Sequence, residues 1–500
     1  QRRPRVQWIG LVAIVAALAS CSRTVEIAVE IQADARVRWD EILSTSPLPE
    51  AFVIVDDPTR EPLVTLRSRV SSALAARSDT HIVLDRTWLA PTASLADVTA
   101  EAWLPPRDAS GEEAPAAPLA ELRLPDLALP VDGVYADDPE YPLVDQLVLD
   151  LDPTAAGLEP DDERLALLET WFASLEPTAV PPPALSWIGG VGDLMVARGV
   201  TRFLDHTDGL EVVFSDVLPE LRRVDFLLGN LEGAVTTRGT PLPKSFAFRF
   251  HPRVLGPLAA AGFDYLSVVN NHSFDYGATG FMDTIAHLRA SPIATSGVGA
   301  DLAEARVPYR TALPAADVTV LSVGAYPVEN SGFDGAHATA ATVERAGVLW
   351  ADARNPAAQR AAFEAMRDAF GPDTVDIVMV HGGAEWATRP SDSQRTLYRL
   401  FVDAGADIVL GHHSHVVQGL ESYRGSLIAY SLGNFVFPGM YATEYGEQSV
   451  LLRIGVVDGR VAYVEPIPVR INHQLLSIDT GTAMLERFAA ATRALHAPAP

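Results

Sequence analysis

Ala404-Gly405-Ala406-Asp407-Ile408-Val409-Leu410-Gly411-His412-His413-Ser414-His415 reads as a helix end, a glycine turn, a buried strand and a polar cluster. The strand is short and apolar, as in a sheet covered on both faces. His413 and His415 follow it directly. That places them beyond a strand's carboxyl end, where open α/β sheets bind ligands. A His-x-His pair there can offer imidazole nitrogens to one or two metal ions.

Working outward, the same strand-then-cluster context recurs three times upstream, and a Gly-Asp variant opens the series. Ser186-Trp187-Ile188-Gly189-Gly190-Val191 leads into Gly192-Asp193, with Arg198 close behind to pair with Asp193 or meet an anion. Val224 to Gly229 leads into Asn230-Leu231-Glu232. Asn230 and Glu232 have period-two spacing, so continued extension puts them on one side. Glu232 is then a candidate bridging carboxylate and Asn230 a candidate substrate contact. Tyr265 to Val269 leads into Asn270-Asn271-His272-Ser273-Phe274-Asp275. Asn271 can bind a metal through its amide oxygen. His272 can serve as a general acid, with Asp275 holding one ring nitrogen and raising its basicity. Val375 to Val380 leads into His381-Gly382-Gly383-Ala384-Glu385-Trp386, which supplies His381 as a ligand and Glu385 as support.

Between these strands lie helical patterns. Asn355 to Phe370 is one. In another, Ser391 and Gln394 form a capping-box signature, and Leu397, Leu400, Phe401 and Ala404 are expected to form the buried face. Val456 to Val461 reads as a hairpin with an Asp-Gly turn.

The whole chain has 500 residues, which suggests two domains, and 48% hydrophobic residues, enough for large cores. Its net charge of −26 argues against nucleic acid, which needs a basic face. Lys244 is the sole lysine and Cys21 the sole cysteine, so no intrachain disulfide forms. Arg2, Arg3 and Arg5 precede an apolar run from Trp8 to Ala19, too short for a comfortable membrane span. Ser20-Cys21 follows. The pattern resembles a bacterial lipoprotein signal, which implies lipidation of Cys21 and a place on an extracytoplasmic membrane face of the cell envelope.

From these features the expected layout is a signal over 1–20 and an accessory α/β domain over 21–178. A proline-rich linker over 179–185, a main domain over 186–472 and a tail over 473–500 follow. Within the accessory domain, Ala51 to Val55 and Thr80 to Leu84 are strand-like, Pro105 to Pro118 reads as an exposed loop, and His81 reads as structural. Asp137 to Val144 weakly resembles part of periplasmic solute-binding domains.

The ordered set of clusters resembles the CapA family of capsule and poly-γ-glutamate synthesis proteins, in the calcineurin-like metallophosphoesterase superfamily. It includes Lys244 to Arg249 and Tyr430-Ser431-Leu432-Gly433-Asn434-Phe435, and spans roughly Ser186 to Arg470. The resemblance implies a four-layer αββα sandwich with metals at the strand ends. It implies Asp193, Glu232, Asn271, His381, His413 and His415 as ligands of two divalent ions. Oxygen and nitrogen donors without cysteine suit Mn, Fe or Zn. It further implies His272 as acid, and Arg198, Lys244 and Arg249 as neutralisers of substrate charge. Four positions depart from the pattern. Met195 stands where many superfamily members carry a histidine, so one sub-site is expected to be short of a ligand. Glu232 replaces an aspartate, Gly382 a tryptophan and Ser414 a proline.

Three functions stay open on this reading. One is a metal-dependent hydrolase acting on a phosphoester or an envelope polymer. Another is a non-catalytic, membrane-anchored component of a polymer synthesis and export complex. The last is a solute-binding sensor.

Overall fold

A computed structural model of the chain describes residues 185–496, save 205, 207, 208, 442, 458 and 482. It also describes residues 167 and 170–172 and five strands nearer the N-terminus. Those strands are Val25–Ile31, Phe52–Val55, Val64–Ser71, His81–Trp88 and Val144–Leu151. They form one sheet in which the 25–31 strand pairs parallel with two neighbours and the later strands pair antiparallel. Chain contacts divide the molecule into two compact units, Gln1–Leu89 with Val134–Pro183 and Ala90–Gly133 with Ala184–Pro500. Cys21, the loop over 105–118, residues 137–143 and the proline-rich stretch over 177–183 lie outside the described residues.

The second unit is built on two six-stranded sheets. We number its sheet strands β1 (Leu185–Leu194), β2 (Phe226–Leu231), β3 (Phe263–Ser267), β4 (Tyr309–Ala312), β5 (Asp317–Ala325) and β6 (Thr374–Gly382). They continue as β7 (Ile408–His412), β8 (Leu420–Tyr423), β9 (Ser426–Ala429), β10 (Gln448–Val457), β11 (Arg460–Asn472) and β12 (Leu475–Ile478). The first sheet runs β3-β2-β1-β10-β11-β12 and the second β4-β5-β6-β7-β9-β8. Strands β1, β2 and β3 are parallel, as are β5, β6, β7 and β9.

Side-chain alternation sorts the strands into layers. Val375, Ile377, Met379, Ile408, Leu410, Leu427 and Ala429 face one way, toward Ile188, Phe226 and Leu228 of the first sheet. Their neighbours Val378, Val380, Val409 and Ile428 face outward. They pack on helices α2 (Pro356–Ala369) and α3 (Asp392–Asp403) through Met366, Tyr398 and Phe401. On the far side of the first sheet, Leu227, Leu231 and Leu266 pack on α1 (Gly277–Arg289) and shorter helices, through Phe281, Leu258 and Phe214. Two sheets share one core and each carries helices outside, which is the expected αββα sandwich. Glycine brings the sheets close where the site lies. A Cβ on Gly190 would stand 3.0 Å from a Leu410 methyl of the opposite sheet.

Two expectations are corrected here. The segment after Asn472 is not a tail. β12 pairs with β11, and α4 (Ala483–His496) inserts Met484, Leu485, Phe488 and Ala489 into the inter-sheet core. The buried face of α3 is also different. Gln394, Tyr398, Phe401 and Val402 are buried, while Leu400 is exposed. A buried glutamine outranks a leucine because its amide donates to Gln418 Oε1 and the Tyr430 carbonyl. Ser391 still caps α3 by accepting from Gln394 N, and Asn355 caps α2. The hairpin at Val457–Arg460 forms as expected. Among the described residues, no helix is long and apolar enough to cross a membrane.

Candidate metal centre

The parallel strands of both sheets end at one place. Asp193 is the penultimate residue of β1, and Glu232 follows β2 immediately. Asn271 and His272 lie in the turn after β3. His381 sits near the end of β6, and His413 and His415 follow β7. All seven are buried. Two strained stretches aim them. His413 and His415 have φ of 88° and 58°, and Trp386 has 64°. Such left-handed values are uncommon for bulky residues and cluster at functional sites.

Glu232 is the hub. One group of mutually close donor atoms comprises Glu232, His381 and His413, and another comprises Asp193, Glu232 and His415. Glu232 Oε1 lies 3.7 Å from His381 Nε2 and 3.8 Å from His415 Nε2. His413 Nδ1 approaches His381 Nε2 to 3.1 Å, and Asn271 Oδ1 lies 2.9 Å from that same nitrogen. His415 Nδ1 lies 3.4 Å from Asp193 Oδ2. So one sub-site has four donors, counting Asn271, and the other three.

These donors fit divalent cations, and the fit does not rest on family pattern. Both carboxylate oxygens of Glu232 are buried with no hydrogen-bond partner, and so is His413 Nε2. A buried, unpaired carboxylate is among the most costly arrangements a fold can hold. Three imidazoles converge on it, with His381 Nε2 and His413 Nδ1 only 3.1 Å apart. A cation satisfies all of them at once. The donor set is nitrogen and oxygen only, which suits Mn, Fe or Zn.

The charges tell the same story without the ion. Burial, together with the Asp193 charge, pushes the Glu232 carboxyl well above its ordinary range. Burial alone would raise Asp193 too, but His415, His412 and the Asn230 amide hold it below the usual value. Burial disfavours a charged His415, yet Glu232 and Asp193 outweigh it and push the imidazole up to about 9. Burial and the His415 charge drive His413 down to about 3. Burial and His413 hold His381 well below its ordinary range.

Around the donors stands a supporting shell. Asn230 Nδ2 donates to Asp193 Oδ1 at 2.8 Å and lies 3.2 Å from His381 Nδ1. Asn434, in the strand-like segment beside β1, sets its Oδ1 2.9 Å from His415 Nδ1. Asn434 is not among the expected site residues. His412 faces the opposite sheet, 3.1 Å from the Val191 carbonyl, and is structural. Beside the hub, His272 Nε2 lies 3.8 Å from Glu232 Oε1 and its Nδ1 2.6 Å from Asp275 Oδ2. Phe248 packs on the His272 ring at 4.2 Å. Burial holds this imidazole below its ordinary range, against the pull of Asp275. His272, Asn271 and His413 open onto a cleft of about 420 Å³, whose walls include Phe246, Glu329 and Trp386.

Several expected roles change. Asn230 is buried and orients ligands, so it does not meet substrate. Arg198 does not pair with Asp193. It donates to the Pro438 carbonyl and lies over the Phe246 and Phe248 rings. Arg249 is exposed and lies over Tyr276, because alternation sends Phe248 and Phe250 inward and Arg249 out. Lys244 is engaged inside the protein by the Asn271 carbonyl, Asp275 and Glu329. Glu385 is exposed at the cleft wall rather than braced against a ligand. Met195 is buried in the apolar core, consistent with a three-donor sub-site.

The family model described as bacterial capsule synthesis protein PGA_cap matches residues 188–439. The PGA biosynthesis protein CapA of Bacillus subtilis (strain 168) is 33% identical over 251 residues, 49% of this chain and 62% of its own. The capsule biosynthesis protein CapA of Bacillus anthracis is 30% identical over 288 residues, 56% of this chain and 66% of its own. The chain thus spans just under two thirds of each of these relatives. A phosphatase from Mycoplasma pneumoniae of solved structure is 14% identical, covering 60% of this chain and 96% of its own, with a TM-score of 0.37.

Proposed function

Since this chain belongs to the bacterial capsule synthesis PGA_cap family, we propose that it is a metal-dependent hydrolase of the cell envelope, acting on a phosphoester or an envelope polymer. The observation that carries this reading is Glu232. Its two buried, unpartnered oxygens lie between two groups of histidine and carboxylate donors, with a histidine–aspartate pair beside them. Asn271, Glu232, His381 and His413 would hold one divalent ion, and Asp193, Glu232 and His415 a second. When bound, the ions supply Lewis acidity and charge stabilisation at the strand ends. The protein's own share is to hold the donors rigid and move a proton, while the cleft admits the water that hydrolysis consumes. His272, as the imidazolium, would donate its Nε2 proton to the leaving group, while Asp275 holds the Nδ1–H. Phe248 keeps the imidazole plane in place.

The test uses a chromogenic phosphodiester with and without manganese. Wild type turns it over only with metal. His272→Ala loses about 10²–10⁴-fold in kcat while still binding metal, and His413→Ala loses metal. Full activity in both variants would overturn the site assignment.

A second reading is favoured by Met195. Its burial in the core leaves the Asp193 sub-site with three protein donors, as a non-catalytic component of a polymer synthesis and export complex would tolerate. Near-zero metal after reconstitution would select it. In either case we propose anchorage through lipidated Cys21 on an extracytoplasmic face. The basic start and the short apolar run before Ser20-Cys21 support this. Mass spectrometry of the N-terminal peptide, with or without a lipid adduct on Cys21, decides it.

A further inference from the structure

Glu329 belongs to none of the sequence clusters, yet it touches the candidate ligand Asn271 and, through Lys244, reaches Asp275, the partner of the acid. It lies in the turn after β5, where its N–H donates to the Phe333 carbonyl and Gly332 N donates back to its own carbonyl. Its Oε2 accepts from Ser331 Oγ at 3.1 Å. Its Oε1 accepts from Lys244 Nζ at 2.7 Å and from Asn271 Nδ2 at 3.3 Å.

The second contact decides which way Asn271 faces. With Nδ2 on the carboxylate, Oδ1 points to His381 Nε2, at 2.9 Å, and to the metal position. The flipped amide would set Oδ1 against the Glu329 carboxylate and an N–H against the cation. Both contacts would repel.

Lys244 completes the arrangement. Its side chain is only 2% exposed. A lysine ammonium has three N–H donors, and three acceptors surround this one. They are the Asn271 carbonyl at 2.6 Å, Asp275 Oδ1 at 2.7 Å and Glu329 Oε1. The Phe333 ring covers it at 4.7 Å. Asp275 in turn accepts at Oδ2 from Phe248 N and holds His272 Nδ1. One buried ammonium therefore ties the backbone of a ligand, the partner of the acid and the carboxylate that orients the ligand's amide.

We propose that Glu329 and Lys244 form a clamp that turns the Asn271 oxygen toward the metal and holds Asp275 against His272. Both are positioning residues. The sole lysine of the chain is a brace for the centre rather than a substrate contact. The proposal rests on the metal-binding reading above, and its test reads metal affinity directly, without turnover.

Manganese affinity is measured by competition with a chelating dye, alongside the melting temperature of the metal-free protein. Glu329→Ala weakens the tighter site by about 10- to 100-fold, the range for loss of a ligand-orienting partner. Glu329→Gln stays close to wild type, because its amide oxygen still accepts from Lys244 and Asn271 while its NH2 meets Ser331. Lys244→Met weakens binding as well. The double variant is no weaker than the worse single one, since both act through one network. Glu329 lies on a partly exposed turn, so its variants melt near wild type, and Glu329→Gln serves as the folded control. Wild-type affinity in Glu329→Ala, equal loss in Glu329→Gln, or strictly additive losses would each overturn the clamp. Failure of wild type itself to bind manganese would instead sink the functional reading, and the clamp with it.

Discussion

Glu232 and His415 set the proton chemistry of the centre. In the metal-free chain His415 titrates near 9, because two buried carboxylates favour its charged form. An imidazole that ligates a metal must be neutral. Binding at pH 7.5 therefore expels the His415 proton. The sign follows directly. Protons compete with metal below about 9, so affinity climbs with pH from 7 and levels off above that value. Calorimetry in two buffers of different ionisation enthalpy measures the release, and a value of zero would contradict the assignment of His415. The sub-sites also differ in donor count, four against three. Manganese titration is expected to show one tight and one weaker class, and equal affinities would count against Met195 as the cause.

At this same scale, the candidate donors that the fold brings together could be named from the chain because each sits where a strand pattern stops. Substrate contacts could not. Whether Arg249 points in or out is a matter of parity along a two-residue strand, fixed by which aromatic neighbours bury. Lys244 looked free because its partners Asp275 and Glu329 are 31 and 85 positions away in sequence. Glu329 itself left no signal, since a Pro-Val-Glu-Asn-Ser-Gly turn resembles any other loop.

Elements translate those residues into geometry through close backbone contact. Gly192 shows how. A Cβ there would stand 2.1 Å from the Gly433 carbonyl oxygen. Beside it, Asp193 N donates to that same carbonyl at 3.0 Å, and Phe435 N donates to the Asp193 carbonyl at 2.8 Å. Gly192→Ala must push β1 from the segment that carries Asn434. Overpacking of this kind costs about 1–3 kcal/mol, and it displaces Asp193 as well. The expected result is a lower melting temperature together with weaker binding at the three-donor sub-site.

Leu410→Ala provides the contrast. Leu410 is fully buried between the sheets, so its truncation costs about 2–5 kcal/mol while leaving the donors after β7 in place. Equilibrium denaturation should show the loss, and metal stoichiometry should not change. If Leu410→Ala weakened metal binding as Gly192→Ala is expected to, the two effects would not be separable by position in the strand. The strands themselves were easy to read, since both-face burial yields runs such as Val375 to Val380. The buried face of α3 was not, because apolar periodicity overlooks a glutamine that finds its partners only in the folded molecule.

Across the whole second unit, the sandwich needs its last segment. Sequence alone suggested a tail after Asn472, because Ser477 to Thr482 is polar and weakly patterned. The fold shows why that reading fails. β12 extends the first sheet, and α4 places Met484, Leu485, Phe488 and Ala489 against the inter-sheet core. Thr492 Oγ1 accepts from Leu420 N at 3.1 Å, and the Leu495 carbonyl accepts from Arg395 at 3.0 Å, so α4 also binds the second sheet through β8 and the helix α3 outside it. Full burial of a Leu, Met or Phe side chain contributes about 1.5–3 kcal/mol. Three such groups approach the whole margin of an ordinary domain, about 5–15 kcal/mol. A chain ending at Asn472 would expose the core floor formed by Leu420, Val450 and Val464, and it is expected to aggregate or unfold at ambient temperature. Leu485→Asp together with Phe488→Asp, in the full-length chain, should reproduce that loss with no residue of the centre altered. A truncated chain that melts cooperatively within a few degrees of wild type would show that the two sheets hold together without α4.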